Sequence, residues 1–259
     1  MTPAEHVIGV TPFGEPDARL AAAVTRGGGL GVLDLGSGDR AARAALADLR
    51  DRLPGRFGVR VGPHCRLRPG DAAGLLGGPG GPRTVLLAAG SAVRPADLPP
   101  GVRVLAEATG LAEARAALDS GAHGLVARGS ECGGRIGELG TFVLLQQLLD
   151  AVGSDGPPVW ACGGMAPGTA AAAVAGGAAG VVLDTQLALL AESALPAAVA
   201  AVLRPLDGSE TTELGGHRFL HRRRTAAPPP GAPPRDLPDD PDRIAALLGG
   251  RDPDTQLLP

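Results

Sequence analysis

The stretch from Val159 to Gln186, VWACGGMAPGTAAAAVAGGAAGVVLDTQ, contains one complete unit of the fold. It begins with a short apolar segment, passes through the glycine pair Gly163 and Gly164 into an alanine-rich segment, and ends in a β-branched segment. Short apolar segments bounded by glycine are typical of buried strands, and an alanine-rich segment between two of them is typical of a helix. The stretch therefore predicts a strand, a helix and a second, parallel strand.

The same alternation extends over most of the chain. Ala-, Leu- and Arg-rich segments with helical spacing separate strand-like segments, of which there are eight. These segments begin at Val7, Gly31, Phe57, Thr84, Val102, Gly124, Pro158 and Gly180. Eight such units close a (β/α)8 barrel, so we predict an α/β fold of the TIM-barrel type. An open doubly wound sheet is the alternative, but no glycine fingerprint follows the first segment.

The chain divides into three regions by composition. Residues 1–204 are expected to form the barrel, in which the third helix is short and broken and the fourth is scarcely a helix. Residues 205–224 are a possible small extension, which could be a hairpin. Residues 225–259 are rich in Pro and Asp and bury little apolar surface, so we predict a linker or disordered tail. A chain ending near Arg224 is expected to be almost as stable as the full chain.

Composition argues against several classes of function. The formal net charge of -3 over 259 residues offers no basic surface for a nucleic acid or an anionic membrane. The three cysteines have no paired metal-ligand spacing, which predicts no metal site and indicates reduced thiols in a cytoplasmic protein. The N-terminus lacks the pattern of a signal peptide. The long uncharged run from Val159 to Leu183 is interrupted by glycines and Pro167, which argues against a membrane span.

The glycine pair stands where such barrels bind phosphate. Active sites of (β/α)8 barrels lie at the C-terminal ends of the strands, and phosphates commonly bind the loops after strands seven and eight. Gly163 and Gly164 follow the seventh strand segment, and Asp184 and Thr185 follow the eighth. Backbone N–H groups and helix N-termini at these loops favour a phosphate. Tight packing in the turn is the other reason for glycine at these positions.

Three quoted stretches carry a resemblance to a known family. GVTPFGEPDARL from Gly9, GLVARGSECGGRIGELGTF from Gly124 and ACGGMAPGTA from Ala161 resemble the nitronate monooxygenases and the related flavin-dependent enoyl-acyl-carrier-protein reductases. The resemblance extends over about residues 7 to 195 and is weakest between Pro63 and Gly101. These families are FMN-dependent (β/α)8 barrels. The resemblance thus implies an FMN phosphate at Gly163, Gly164 and Thr185, and flavin-facing backbone at Pro12, Phe13, Gly133 and Gly134.

The chain departs from these families at two positions. Arg135 stands where they typically carry a histidine after the glycine pair of the sixth strand. A guanidinium group stays protonated and cannot act as a general base. Asp184 stands where they usually carry glycine, which brings a carboxylate near the expected phosphate. Asp184 would repel the ligand if it faced it and would be harmless if it accepted a backbone N–H.

Three side chains are the candidates for catalysis. Arg135 could hold an anionic substrate or stabilise reduced flavin. His64 follows the third strand at the catalytic end and is the histidine that could replace the missing base. Glu131 is either a general base or the salt-bridge partner of Arg135.

Three functions remain open at this stage. The first is an FMN-dependent oxidoreductase of the nitronate monooxygenase type. The alternative enzyme is an NAD(P)H-dependent enoyl reductase that acts on a carrier-bound acyl thioester. The third is a catalytically degenerate barrel that docks in a polyketide or fatty-acid synthase, which Arg135, Asp184 and the Pro-rich segment would explain.

Overall fold

The computed structural model describes residues 6–206, 211–221 and 257–258. Eight parallel strands close into a barrel in chain order, and helices lie between most of them, which confirms the predicted (β/α)8 fold. The barrel strands are β1 (Val7–Val10), β2 (Leu30–Asp34), β3 (Gly58–Val61), β4 (Thr84–Leu87), β5 (Arg103–Ala108), β6 (Gly124–Arg128), β8 (Val159–Cys162) and β9 (Gly180–Leu183). The two-residue strand β7 (Gly134–Arg135) lies in the loop after β6, outside the barrel.

Seven α-helices are present in the described residues. They are α1 (Ala18–Arg26), α2 (Arg40–Arg52), α3 (Pro69–Leu76), α4 (Leu111–Asp119), α5 (Thr141–Val152), α6 (Pro167–Ala175) and α7 (Ala197–Leu203). Asp17 and Asp39 cap α1 and α2 by accepting hydrogen bonds from first-turn N–H groups. The third helix is only eight residues long, and a 3-10 turn at Pro95–Asp97 stands in place of a fourth, as the prolines and glycines predicted.

The barrel interior has an apolar lower part and a charged upper layer. Side chains alternate across a strand, so Val32 and Asp34 of β2 point to the same side. Val126 and Arg128 of β6 follow the same rule. The apolar side chains of this interior, such as Val32 and Val126, belong to one buried cluster that contains Trp160. The guanidinium carbon of Arg103 lies 4.9 Å from the centre of the Trp160 ring. Two further clusters fill the space between the sheet and the helices.

A small antiparallel sheet follows the barrel. Strands β10 (Thr211–Leu214) and β11 (His217–His221) form a hairpin, and β11 also pairs with β7 and with β12 (Leu257–Leu258). The hairpin lies within the segment predicted as a small extension. Apart from β12, the predicted tail at 225–259 lies outside the described residues.

Within the same described residues, no helix has both the length and the apolar character that a membrane span requires. The uncharged run from Val159 to Leu183 is divided among β8, α6 and β9.

Candidate active site

A cavity of about 220 Å³ opens at the C-terminal ends of the barrel strands. The loops after β1, β3, β6 and β9 border it, and the hairpin contributes one side chain. Its lining includes six of the residues proposed from sequence to lie near the cofactor, Pro12, Phe13, Gly133, Gly134, Asp184 and Thr185. His64 and Arg135 also line it.

A chain of alternating charges forms the floor of this cavity. We call it the ion-pair chain, and it runs from Asp34 through Arg60, Glu107 and Arg128 to Asp184. Arg60 donates to Asp34 at 2.6 Å and binds both carboxylate oxygens of Glu107 at 2.7 and 3.0 Å. Arg128 lies 3.4 Å from Glu107 and 3.9 Å from Asp184. The ion-pair chain contains three carboxylates against two guanidinium groups, so it carries one net negative charge.

Sequence analysis did not identify four of these five residues. Each of the four is a charged residue in one of the last two positions of a largely apolar strand, as in GVLDL and GLVAR, and this was the available signal. Charges at such positions need partners because an unpaired buried charge is costly. The barrel provides the partners by bringing β2, β3, β5 and β6 together.

Glu107 lies at the centre of the ion-pair chain, and its side chain is only 5% exposed. Burial by itself would raise the pKa of its carboxyl group. The positive charges of Arg128 and Arg60 outweigh burial and lower the pKa of Glu107 to about 2. Glu107 in turn raises the pKa of both guanidinium groups despite their burial. All three groups are therefore charged at neutral pH.

We expect Glu107 to make the protein sensitive to acid. Its folded-state pKa lies below the ordinary value of about 4.3, so its stabilising contribution is complete above that value and is lost as pH falls towards 2. The loss should be on the order of 3 kcal/mol. Urea unfolding between pH 7 and pH 2 measures it, and Glu107→Gln should flatten the pH dependence. An equally steep dependence in this variant would assign the acid sensitivity to other carboxylates.

Phe13 has an unusual backbone conformation beside the cavity. Its φ of 61° and ψ of 19° are left-handed, and no other non-glycine residue in the described part of the chain has a positive φ. Such strain at a non-glycine residue is commonly found at functional sites. Phe13 lines the cavity in this conformation.

The glycine turn after β8 offers two hydrogen-bond donors. Gly163 is buried and Gly164 is exposed, and both have a positive φ. Among the described residues, no acceptor binds the backbone N–H of either glycine. Packing also requires Gly163, because a Cβ there would lie 2.7 Å from Thr141 Oγ1. At Gly164 a Cβ would meet only ordinary contacts with Glu131 at 3.5 Å. Neither glycine lines the cavity itself; their turn lies beside it.

Asp184 lines the cavity, and both of its carboxylate oxygens face partners within the protein. Its Oδ1 accepts the backbone N–H of Thr185 at 2.6 Å, and its Oδ2 faces Arg128. The harmless orientation is therefore the one adopted, but it occupies an N–H group that a phosphate could use. Thr185 begins a five-residue 3-10 turn, so the α-helix expected to begin here after the eighth strand is absent. The α-helix that begins beside the glycine turn is α6.

Arg135 is held by an acidic partner that the sequence did not indicate. Its guanidinium group forms a two-bond ion pair with Glu113 of α4, and Glu113 also accepts from the backbone N–H and hydroxyl of Thr109. The hydrogen bond from Arg135 lowers the pKa of Glu113 and raises that of Arg135. The fixed positive charge that we expected Arg135 to contribute is thus largely neutralised by Glu113.

Glu131 does not pair with Arg135. Its Oε2 accepts from the backbone N–H and the hydroxyl of Thr141, each at 2.8 Å, and so caps the start of α5. Glu131 is also absent from the cavity lining. Glu131 therefore makes a helix-capping contact. It forms neither the expected salt bridge with Arg135 nor part of the cavity where a general base would lie.

Two histidines line the cavity. His64, the candidate base from sequence, lies on the exposed loop after β3. His217 enters from the hairpin and was not considered, because sequence alone does not show that residues beyond the eighth strand return to the barrel mouth.

Fold and site together define the class of protein: a (β/α)8 barrel whose functional cavity lies at the C-terminal mouth beside a glycine turn after the seventh strand. The family description for nitronate monooxygenase matches residues 97–214. The chain is 34% identical over 231 residues to the (3aS,4S,5R,7aS)-5-hydroxy-7a-methyl-1-oxo-octahydro-1H-indene-4-carboxyl-CoA dehydrogenase of Mycobacterium tuberculosis. That match covers 83% of this chain and 63% of the relative. The chain thus spans less than two thirds of the relative's length.

Two solved structures have the same architecture. FabK from Thermotoga maritima has a TM-score of 0.67 and 28% identity, and the match covers 82% of this chain and 70% of FabK. A nitroalkane oxidase from Streptomyces ansochromogenes has a TM-score of 0.61 and 27% identity, with coverage of 76% and 70%. Residues 97–214 thus match the nitronate monooxygenase family, and the barrel as a whole is similar to FabK and to a nitroalkane oxidase.

Proposed function

We propose that the chain is an FMN-dependent oxidoreductase. The observation that carries this proposal is the glycine turn after β8, where a buried and an exposed glycine have N–H groups without an acceptor among the described residues. Donors of this kind beside the start of α6 suit a phosphate. The family match supports the same reading.

The charges of the site favour the glycine turn as the position of the phosphate. The guanidinium groups of the ion-pair chain are already paired with carboxylates, whereas the N–H groups of the glycine turn beside the cavity have no acceptor among the described residues. Gly163 and Gly164 would donate to the phosphate, together with the hydroxyl of Thr185. The backbone of Pro12, Phe13, Gly133 and Gly134 would border the flavin ring.

FMN, when bound, would supply the redox chemistry. The chain's own residues bind, orient and shield. Arg60 and Arg128 are held in place by Glu107, which gives the cavity a rigid polar floor. His217 of the hairpin adds one side chain to the lining of the cavity.

Two substrate classes fit this proposal. A nitronate is the substrate class of the matched family, and one similar structure is a nitroalkane oxidase. An acyl thioester is the second candidate, because the relative at 34% identity is named for a carboxyl-CoA substrate. NAD(P)H is the proposed reductant for the thioester reaction.

The absorption spectrum of the purified protein tests the cofactor directly. We expect a flavin spectrum and FMN in the heat-released supernatant. Under anaerobic conditions a nitronate should bleach the oxidised flavin directly, whereas in the thioester reaction NADPH should bleach it and an enoyl-CoA should then restore its colour, which separates the substrate classes. A colourless protein that takes up no FMN on titration would contradict the proposal and favour a barrel that only docks, for example in a polyketide or fatty-acid synthase.

A further inference from the structure

The C-terminal hairpin is attached to the loop after β6. In the register of β11 and β7, His217 lies opposite Arg135, and Arg218 lies opposite Gly134. Ile136 donates its backbone N–H to Gly216 at 2.8 Å, and Arg218 donates to the backbone carbonyl of Ser130 at 2.6 Å. These contacts fix the position of His217 relative to the barrel.

Directly opposite residues of an antiparallel pair point to the same face, with Cβ atoms about 5 Å apart. His217 and Arg135 accordingly both line the cavity. Arg135 turns its guanidinium group towards Glu113, and His217 places an imidazole beside it. We propose that His217 is the residue that exchanges a proton with the substrate in this site, in place of the histidine that Arg135 replaces. This proposal rests on the proposed oxidoreductase function.

One ring nitrogen of His217 is fixed by a backbone carbonyl oxygen. Its Nδ1 lies 3.0 Å from the carbonyl oxygen of Gly215. A carbonyl oxygen only accepts, so Nδ1 carries the hydrogen, and Nε2 of the neutral ring carries the lone pair. Gly215 and Gly216 have φ values of 55° and 71°, as the tight hairpin turn requires. The turn thus holds the imidazole and assigns its tautomer.

His217 has a better defined position than His64. His64 lies on an exposed loop, whereas His217 is half-buried and is anchored through Nδ1. The charged groups near His217 include Arg135 across the strand pair, Glu113, which pairs with Arg135, and the ion-pair chain on the cavity floor.

The proton step can be followed with nitroethane as a probe. The C–H bond next to the nitro group breaks, its electron pair stays on the substrate as the nitronate, and the proton passes to Nε2 and then to solvent. In D2O the same step, run in both directions, replaces that hydrogen with deuterium. NMR measures the exchange without any electron transfer.

The variants His217→Ala and His217→Gln test the proposal on the full chain, and His6→Ala is the matched control at the opposite end of the barrel. We expect both His217 variants to retain FMN and to lose about 100-fold or more in exchange rate. Added imidazole should partly restore His217→Ala, and so should Arg135→His in the same chain. A purely structural role for His217 would give neither rescue.

The outcomes separate this proposal from the proposed function. Exchange that is unchanged in both His217 variants, or lost instead in His64→Ala, overturns the assignment of His217. A wild-type protein that holds FMN but does not exceed the buffer rate overturns it as well. Exchange that depends on His217 in a protein without FMN supports His217 and contradicts the flavin proposal.

Discussion

Glu107→Ala is expected to lower the free energy of unfolding by about 3–5 kcal/mol. The substitution leaves Arg60 and Arg128 buried without the carboxylate that lies between them, and an uncompensated buried charge is strongly destabilising. For a protein of this size the loss corresponds to a decrease in Tm of about 10 °C. Urea unfolding at pH 7 measures the change directly.

Asp48→Ala is the matched control for this experiment. Asp48 lies 2.7 Å from Arg52, the same distance as Glu107 from Arg60, but both partners are about half exposed. Solvent screening limits such a pair to about 1 kcal/mol or less. Similar losses in the two variants would show that burial does not strengthen the ion-pair chain. If Glu107→Ala does not fold, Glu107→Gln supplies the comparison, because it removes the charge and keeps the size.

Gly164→Val is expected to lower the affinity for FMN by at least about 100-fold. The φ of Gly164 is +63°, which a β-branched residue does not readily adopt, so the turn must change and displace the N–H groups of Gly163 and Gly164. Two hydrogen bonds to a charged phosphate contribute about 1.5–3 kcal/mol each. Flavin content after purification and titration with FMN measure the loss.

Gly55→Val is the control for backbone strain. Gly55 has a φ of +68° and lies between α2 and β3, at the end of the barrel away from the cavity, and a Cβ there meets nothing within 4 Å. Both variants should lose stability, but only Gly164→Val should lose FMN. Added FMN should therefore raise the Tm of Gly55→Val and leave that of Gly164→Val unchanged. Equal flavin content in the two variants would rule out the glycine turn as the phosphate site.

The hairpin brings a side chain from beyond the barrel strands into the site. His217 reaches the cavity only because β11 pairs with β7, next to the residue that departs from the family pattern. A change at Arg135 and a contribution from His217 can thus compensate each other across one strand pair. The double variant proposed above measures this coupling.

Local patterns were sufficient to predict the barrel. Buried strands between glycines and intervening helices are recorded in short windows of sequence, and the number of units determines closure. The same patterns located the catalytic end and the glycine turn at Gly163 and Gly164. Even the short α3 and the missing fourth helix followed from local prolines and glycines.

Contacts between distant segments were decided only by the tertiary structure. The partners of Glu107, the ion pair of Arg135 with Glu113, the capping role of Glu131 and the approach of His217 all join residues from different elements. A side chain's neighbours depend on strand register and on how a later segment folds back, and neither is written in a local window. The sequence by itself therefore determined the barrel and where its site lies, while the tertiary structure decided which charges and which imidazole meet there.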